Sequence, residues 1–217
     1  MASALTIIIA DDHPLFRGAL KQALTGMAGD PDIVEAGDFE AARKAASDHP
    51  NADLLLLDLA MPGVSGLSGL ISLRAEFQSL PVVIVSASDD PATIRRALDL
   101  GASGFISKSA SIEDIREGIG SVLDGNIYTP GGYVRGAEQD SEVADLIARL
   151  RTLTPQQSRV LAMLAEGLLN KQIAYELGVS EATIKAHVSA ILLKLNVDSR
   201  TQAVIQLGKI GAAQAAA

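Results

Sequence analysis

The sequence predicts an α/β protein with a doubly wound, five-stranded parallel sheet, followed by a small all-α domain. Short apolar strands alternate with helical segments up to about residue 125, and every segment after about residue 140 has helical spacing. Gly and Pro concentrate between these two parts. Continuous apolar strands separated by helices are typical of a parallel sheet buried on both faces. We therefore expect two modules, residues 1–125 and 150–217, with a linker and the start of a helix at residues 126–149.

The first module repeats a strand and a helix. The predicted strands are Leu5 to Ala10, Ile33 to Ala36, Asp53 to Leu59, Pro81 to Ala87 and Gly104 to Ser107. The predicted helices run from Pro14 to Thr25, from Asp38 to about Asp48, from Ser65 to about Phe77, from Asp90 to before Gly101 and from Ser111 to about Asp124. Asp90 and Pro91 are typical of an N-cap and a first turn, and Ser111 with Asp114 resembles a capping box.

The second module contains only helical segments. These are Ser141 to Leu150, Thr154 to about Gly167, Asn170 to Leu177, Glu181 to about Leu195 and Ser199 to about Gly208. Thr154 and Gln157 form a predicted capping box with Pro155 in the first turn, and Ser199 with Gln202 caps the last helix. The small residues 211–217 are expected to fray.

Charge is distributed unevenly along the chain. The net charge is −8, but residues 1–150 hold 11 Lys and Arg against 22 Asp and Glu, whereas residues 151–217 hold 7 against 4. An acidic first part and a mildly basic second part indicate two modules with different partners.

Composition excludes several classes of protein. The chain has no Cys and three His, which argues against disulfide scaffolds, cysteine proteases and cysteine-ligated metals. No apolar run approaches the roughly 18 to 20 residues that span a bilayer, and the signal-peptide pattern is missing. We expect a soluble cytoplasmic protein without a membrane partner. Any metal would have oxygen ligands, as Mg²⁺ does.

Polar side chains stand at the ends of four predicted strands. Asp11 and Asp12 follow the first strand, Asp58 lies at the end of the third, Ser86 of the fourth, and Lys108 follows the fifth. In a doubly wound sheet these ends meet at one crevice, where ligands bind. Three carboxylates brought together require a cation, and Mg²⁺ fits that need. Taken singly, a doubled Asp is more often a turn or helix cap, but here the residues coincide at one edge.

The motifs around these residues resemble the receiver domain of two-component response regulators, over about residues 4 to 125. They are Ile7-Ile8-Ile9-Ala10-Asp11-Asp12-His13-Pro14, Leu57-Asp58-Leu59-Ala60-Met61-Pro62-Gly63, Val85-Ser86-Ala87 and Gly104-Phe105-Ile106-Ser107-Lys108. The resemblance implies a flavodoxin-like fold and a phosphoryl group accepted from a sensor histidine kinase.

The resemblance also assigns roles to single residues. Asp58 would be the phosphoacceptor, and Mg²⁺ would be held by Asp11, Asp12, Asp58 and the backbone carbonyl of Ala60. Lys108 and Ser86 would bind phosphoryl oxygens, and Phe105 would be the switch aromatic, in the place of the commoner tyrosine. Ala60 and Ser88 are small where larger polar residues often tune dephosphorylation, which leaves the lifetime of the phosphorylated state open.

The later helices contain the pattern of a helix-turn-helix motif. Two short helices are joined by Gly178-Val179-Ser180, and Ile173, Ala174, Leu177, Val179, Ile184, Val188, Ile191, Leu192 and Leu195 provide an apolar seam. The second helix of such a motif enters the major groove of DNA. The pattern alone fits an ordinary helical hairpin equally well.

Several motifs of this module resemble the DNA-binding domain of LuxR-type regulators, over about residues 150 to 210. They include Leu153-Thr154-Pro155, Leu164-Ala165-Glu166-Gly167-Leu168, Asn170-Lys171-Gln172-Ile173-Ala174 and Val179-Ser180-Glu181-Ala182-Thr183-Ile184-Lys185-Ala186-His187. By family position Lys185, Ala186 and Ser189 face bases, while Lys171, Thr183, His187 and Lys194 lie near the DNA backbone. Ala203, Val204, Leu207 and Ile210 resemble the family's dimer contact, although packing within the domain explains some of them equally well.

Together the two resemblances identify the chain as a member of the NarL/FixJ family. They imply a transcriptional regulator, not an enzyme, that binds promoter DNA as a homodimer when phosphorylated and has no small-molecule substrate. Phosphorylation at Asp58 is expected to shift an existing equilibrium from a closed state, in which the acidic receiver shields the basic domain, to a dimerising, DNA-competent state. Two rivals are a haloacid-dehalogenase-like phosphatase, whose Asp-x-Asp pair is replaced here by adjacent Asp11 and Asp12, and an adaptor that has lost DNA contact.

Overall fold

The computed structural model describes residues 5–27, 31–62, 64, 66–131, 133 and 141–211. The predicted helix start at Ser65, residues 132 and 134–140 of the linker and the final residues 212–217 lie outside the described residues.

The first module is built on a five-stranded parallel sheet with strand order β2-β1-β3-β4-β5. The strands are β1 (Thr6–Ala10), β2 (Asp32–Ala36), β3 (Leu54–Asp58), β4 (Val82–Ser86) and β5 (Gly104–Ser107). Each strand lies within one or two residues of its predicted bounds. Since β1 lies between β2 and β3, the direction of chain winding reverses beside β1, and ligands bind at such a reversal.

Five helices cover the two faces of the sheet. They are α1 (Pro14–Leu24), α2 (Phe39–Asp48), α3 (Ser68–Glu76), α4 (Pro91–Asp99) and α5 (Ile112–Leu123). The predicted caps form: Asp38, Asp90 and Ser111 each accept a hydrogen bond from a backbone amide of the first turn. The prediction for α3 started too early, because Gly66 has a left-handed φ of 52°, which a right-handed helix cannot include.

Apolar residues on the two sides of the sheet form two separate layers. Leu55 and Leu57 pack with Phe39 and Phe105 on one side, whereas Ile7 and Ile9 pack with α1 and α5 on the other. Every residue of β3 and β4 is buried. These strands therefore hold their terminal residues, Asp58 and Ser86, on rigid supports.

The second module contains α6 (Ser141–Leu150), α7 (Pro155–Ala165), α8 (Asn170–Leu177), α9 (Glu181–Leu195) and α10 (Arg200–Gly211). Thr154 and Gln157 form the predicted capping box of α7. The helix α10 continues to Gly211, beyond the predicted end near Gly208. The helix α6 packs against α9 and α10, and Arg149 Nη1 donates a hydrogen bond of 2.9 Å to the carbonyl of Leu195.

The two modules meet where α3 packs against α7. Glu76, at the end of α3, lies between two guanidinium groups: Arg43 Nε of the first module at 3.5 Å and Arg159 Nε of the second at 3.2 Å. Arg151 Nε donates a hydrogen bond of 2.9 Å to the carbonyl of Asp99. The apolar layer on this side of the sheet continues through Ile71 into Leu153 and α7.

The segment after α5 is attached to the edge of the sheet. Tyr128 forms an isolated parallel bridge with Gly104, and its carbonyl accepts a hydrogen bond of 2.9 Å from the amide of Phe105. The Tyr128 ring lies over Gly118 of α5, where an added Cβ would lie 2.8 Å from ring atoms. The predicted linker therefore begins beside β5, at the edge of the sheet.

Replacing Gly118 and Gly120, two glycines of α5, with alanine should change stability in opposite directions. Gly120→Ala should stabilise by about 0.5 to 1 kcal/mol, because alanine favours the helix and the nearest atom lies 3.9 Å from the new Cβ. Gly118→Ala should destabilise by about 1 to 3 kcal/mol, because the new methyl group overlaps the Tyr128 ring. Denaturant unfolding measures both, and amide exchange at Phe105 should accelerate only in Gly118→Ala. Equal stabilisation would contradict the attachment of Tyr128.

Candidate functional site

The carboxyl edge of the sheet brings the predicted acidic residues together. Asp11 follows β1 and is 1% exposed, and Asp58 ends β3 and is 2% exposed. Potential ligand atoms of Asp11, Asp12, His13 and Asp58 all lie within 4.8 Å of one another. Carboxylates this close repel each other strongly when buried. The edge therefore favours a cation.

Lys108 supplies one positive charge at this edge. Its Nζ lies 2.8 Å from Asp58 Oδ2 and 2.7 Å from Asp11 Oδ2. Burial alone would lower the pKa of the Lys108 amine, but the hydrogen bonds and charges of Asp11 and Asp58 outweigh it and raise the pKa. Lys108 is thus cationic at neutral pH. Its Nζ also lies 4.9 Å from the centre of the Phe16 ring, within cation–π range.

The negative charge that Lys108 does not balance at this edge is poorly compensated. Asp11 Oδ2 is paired with Lys108, whereas Asp12 Oδ1 is buried and has no directed hydrogen bond. Asp12 Oδ1 lies 2.6 Å from Nδ1 of His13, which carries charge only when protonated. Oxygen atoms that lack hydrogen bonds beside other carboxylates are suitable ligands for a hard divalent cation. The acidic group can therefore bind a metal.

Ser86 and Ala60 flank Asp58. The amide of Ala60 donates a hydrogen bond of 3.2 Å to Asp58 Oδ1, and the hydroxyl of Ser86 accepts one of 3.1 Å from the amide of Ser88. One oxygen of Asp58 is thus held by a backbone amide and the other by Lys108. This fixes the orientation of the carboxylate.

Asp58 lies at the bottom of a cavity of about 680 Å³. The lining also includes Ala60, Ser86 and Lys108, so the structure brings four of the predicted site residues to one opening. The rest of the wall is mainly small or apolar: His13, Leu15, Phe16, Ala19, Ala87 and Ser88. A group as large as an imidazole ring can approach Asp58 through it.

Phe105, the predicted switch aromatic, is fully buried. Its ring belongs to the apolar layer on the Phe39 side of the sheet. Its amide donates to the carbonyl of Tyr128, as described above. Phe105 therefore connects the strand that leads to Lys108 with the segment that leads to the second module.

Helices α8 and α9 form the predicted helix-turn-helix. Gly178 ends α8 in a left-handed conformation with φ 64°, and Ser180 caps α9 by accepting a hydrogen bond from the amide of Thr183. The predicted seam is buried at Ile173, Ala174, Ile184, Ile191 and Leu195 and partly buried at Leu177, Val188 and Leu192. Val179, which was predicted in the seam, is 36% exposed at the turn.

The predicted DNA-contacting residues differ in their exposure. Those that lie open to solvent are Lys171, Thr183, Lys185, Ala186 and Ser189, whereas His187 and Lys194 are half-buried. The Nζ of Lys194 donates hydrogen bonds of 2.7 Å to the carbonyl of Thr152 and 2.8 Å to Oε1 of Gln157. Two of its three donors are thus used within the domain.

The receiver does not cover the open residues of α9. It packs on α7, and Lys185 keeps a side-chain exposure of 65%. The expected shielding of the basic domain by the acidic module therefore does not extend to α9 in this arrangement.

On α10, Ala203 and Leu207 are buried and Val204 is half-buried, so packing within the domain accounts for Ala203 and Leu207. The side chain of Ile210 lies outside the described residues.

Comparison with known proteins agrees with both modules. Residues 7–120 match the family described as "Response regulator receiver domain", and residues 151–207 match "Bacterial regulatory proteins, luxR family". The nitrate/nitrite response regulator protein NarP of Escherichia coli is 36% identical over 212 residues, covering 94% of each chain. The chain belongs to the NarL/FixJ family of response regulators. It is a phosphorylation-regulated, DNA-binding transcription regulator.

Other relatives cover nearly the whole response regulator. The glycerol metabolism activator of Pseudomonas putida is 44% identical over 210 residues, covering 94% of this chain and 95% of that protein. RcsB from Salmonella enterica serovar Typhimurium, bound to promoter P1flhDC in the presence of the phosphomimetic BeF3-, is 26% identical with a TM-score of 0.56, covering 96% and 100%. A structure of two RcsB dimers bound to two parallel DNAs is also 26% identical, with a TM-score of 0.54, covering 95% and 98%.

In the parts of the chain that the structure describes, no helix is long and apolar enough to cross a bilayer.

The sequence predictions assign no role to His13 or Phe16, although both line the cavity at Asp58. His13 directly follows Asp12, and Phe16 lies in the first turn of α1. These positions are the sequence signal that could have identified both residues.

A divalent cation should stabilise this response regulator through its acidic edge. At a magnesium chloride concentration tenfold above the dissociation constant, the melting temperature should rise by about 3 to 6 °C. Asp12→Asn should reduce this rise, because it removes one carboxylate from the group. Asp48→Asn, at an exposed acidic residue of α2, is the matched control and should keep the full rise. An unchanged rise in Asp12→Asn would argue against a metal at this edge.

Proposed function

We propose that a sensor histidine kinase phosphorylates Asp58 and that the phosphorylated protein binds promoter DNA as a homodimer through α9. The observation that carries this proposal is the position of Asp58: nearly fully buried, 2.8 Å from Lys108 Nζ and at the lining of the cavity. Action on chromosomal DNA requires a cytoplasmic location.

The transfer uses Asp58 as a nucleophile. The P–N bond of a phosphohistidine breaks, a bond forms between phosphorus and an Asp58 oxygen, and the imidazole leaves and takes up a proton. Lys108 compensates the negative charge on the transferred group, and the Ala60 amide holds the other carboxylate oxygen. Such stabilisation is most effective at a buried site with fixed donors.

Asp11, Asp12 and Asp58 are the side chains that would hold Mg²⁺, together with the carbonyl of Ala60. The buried Asp12 Oδ1, which lacks a directed hydrogen bond, supports this assignment. The ion would supply positive charge for the phosphoryl oxygens in addition to that of Lys108. The protein is thus a stoichiometric phosphoryl acceptor with no small-molecule substrate.

The switch would run from Ser86 to β5. A phosphoryl group on Asp58 offers oxygen acceptors to Ser86 and Lys108, which line the same cavity. Movement of Ser86 changes the space beside Phe105, whose backbone is bonded to Tyr128. Coupling energies of about 1 to 3 kcal/mol are ordinary for such transitions.

DNA contact is assigned to α9 and its surroundings. The open side chains of Lys185, Ala186 and Ser189 would face bases, while Lys171, Thr183, His187 and Lys194 would lie near phosphates. The RcsB dimers bound to DNA support DNA binding as a dimer, and the match of residues 151–207 to the luxR family supports this use of the second module. The mildly basic charge of residues 151–217 fits the same partner.

Asp58→Asn should abolish the mass gain that a small phosphodonor with magnesium produces in the intact protein, because it removes the attacking oxygen. Asp48→Asn should label as fully as the wild-type chain. Intact-protein mass spectrometry followed by peptide mapping measures both. Persistent labelling at another residue would exclude Asp58 as the acceptor, and repeated turnover of a phosphate ester would favour the phosphatase alternative.

Purified protein should enrich specific genomic fragments, mainly when magnesium and beryllofluoride are present. On the captured operator, Lys185→Ala should lose about 1 to 3 kcal/mol of binding free energy at matched salt. Lys44→Ala, which removes an exposed, ion-paired lysine of α2, is the matched control and should bind normally. An unchanged affinity in Lys185→Ala would remove that residue from the groove, and capture of no sequence in either state would favour the adaptor alternative.

A further inference from the structure

The outward face of α9 is largely apolar. Ala182, Ala186, Ser189 and Leu193 follow one another at helical spacing on this face, and all are exposed. Leu193 is the largest of them and is 82% exposed. The opposite face packs into the domain through Ile184, Ile191 and Leu195.

The polar groups beside this face already have partners. The hydroxyl of Ser189 donates a hydrogen bond of 3.0 Å to the carbonyl of Lys185 within the helix. The Nζ of Lys185 lies 2.9 Å from Glu181 Oε1. Residues 181–195 contain no Arg, Asn or Gln, so the bidentate contacts of Asn or Gln to adenine are not available from this helix, and Lys185 is the residue of its base-facing set that can contact guanine.

Building on the proposed contact between α9 and bases, we propose that this face recognises the C5-methyl groups of thymines in the major groove, and that Leu193 makes one of these contacts. Thymine is the base that presents an apolar group there, and Ala and other apolar side chains contact it. The operator would then be defined by thymine positions in each half-site more than by guanine.

The position of Leu193 fits this role. It lies seven residues after Ala186, which is about 10 Å further along the same face. Its neighbours Leu192 and Leu195 turn toward the core, so the exposed side chain is not part of the domain's packing. Contact with a thymine methyl group would remove apolar surface of both partners from water. Leu193 therefore continues the base-facing surface toward the end of α9.

The test uses the full chain with beryllofluoride and the operator captured from genomic DNA. Each half-site thymine is replaced in turn by uracil, which removes the methyl group and keeps the base pair. Affinity should fall about threefold to fourfold at each contacted thymine. Leu193→Gln should bind the thymine and uracil versions of one position equally, while it still discriminates at the others. Ile127→Gln, at an exposed apolar residue after α5, should keep the whole wild-type pattern.

The outcomes separate this inference from the proposed function. If no sequence is captured, the proposed function fails. If an operator is captured but no thymine-to-uracil change alters affinity, or if Leu193→Gln keeps the wild-type pattern, the thymine-reading face or the role of Leu193 is wrong. If Leu193→Gln instead lowers self-association without DNA in analytical ultracentrifugation, the residue serves a contact between two copies.

Discussion

The receiver module depends on holding three carboxylates at one buried edge of a sheet. Asp11 and Asp58 are almost without solvent, and their repulsion would favour unfolding if no cation were near. Lys108 meets this constraint from β5, which is two strands away from β3, or about 10 Å at normal strand spacing. A long side chain is needed to cross above β4 and reach both carboxylates. The strand order, the end point of β5 and the small residues around the cavity all allow the Lys108 side chain to extend to both carboxylates.

The same strand connects the acidic edge with the rest of the chain. β5 carries Lys108 at its end and Phe105 within it, and the backbone of Phe105 is bonded to Tyr128. A change in the charge or contacts of the acidic edge therefore acts on β5, which is a short, buried strand, and not on a loop. Because Tyr128 extends the sheet as the first fixed point after α5, the segment that leads to the second module starts from a defined position.

Much of this organisation can be predicted from the sequence. Strands buried on both faces read as apolar runs, so their ends, and with them Asp58 and Lys108, are located within a residue or two. Other features leave no periodic signal. The bridge at Tyr128 involves one residue, and the left-handed Gly66 interrupts a helix whose apolar spacing looks continuous. Lys194 reads as a solvent-facing cation on α9, because its partners lie far away in the sequence.

The contact between the modules has a consequence for its reversibility. Glu76 is shared by Arg43 of its own module and Arg159 of the other. When α7 moves away, Glu76 keeps Arg43, so no buried charge is left alone, and Arg159 gains water. Breaking a buried ion pair is expensive mainly because it strands one partner. Because Glu76 is shared, separation of α3 from α7 would not leave this carboxylate without a cationic partner.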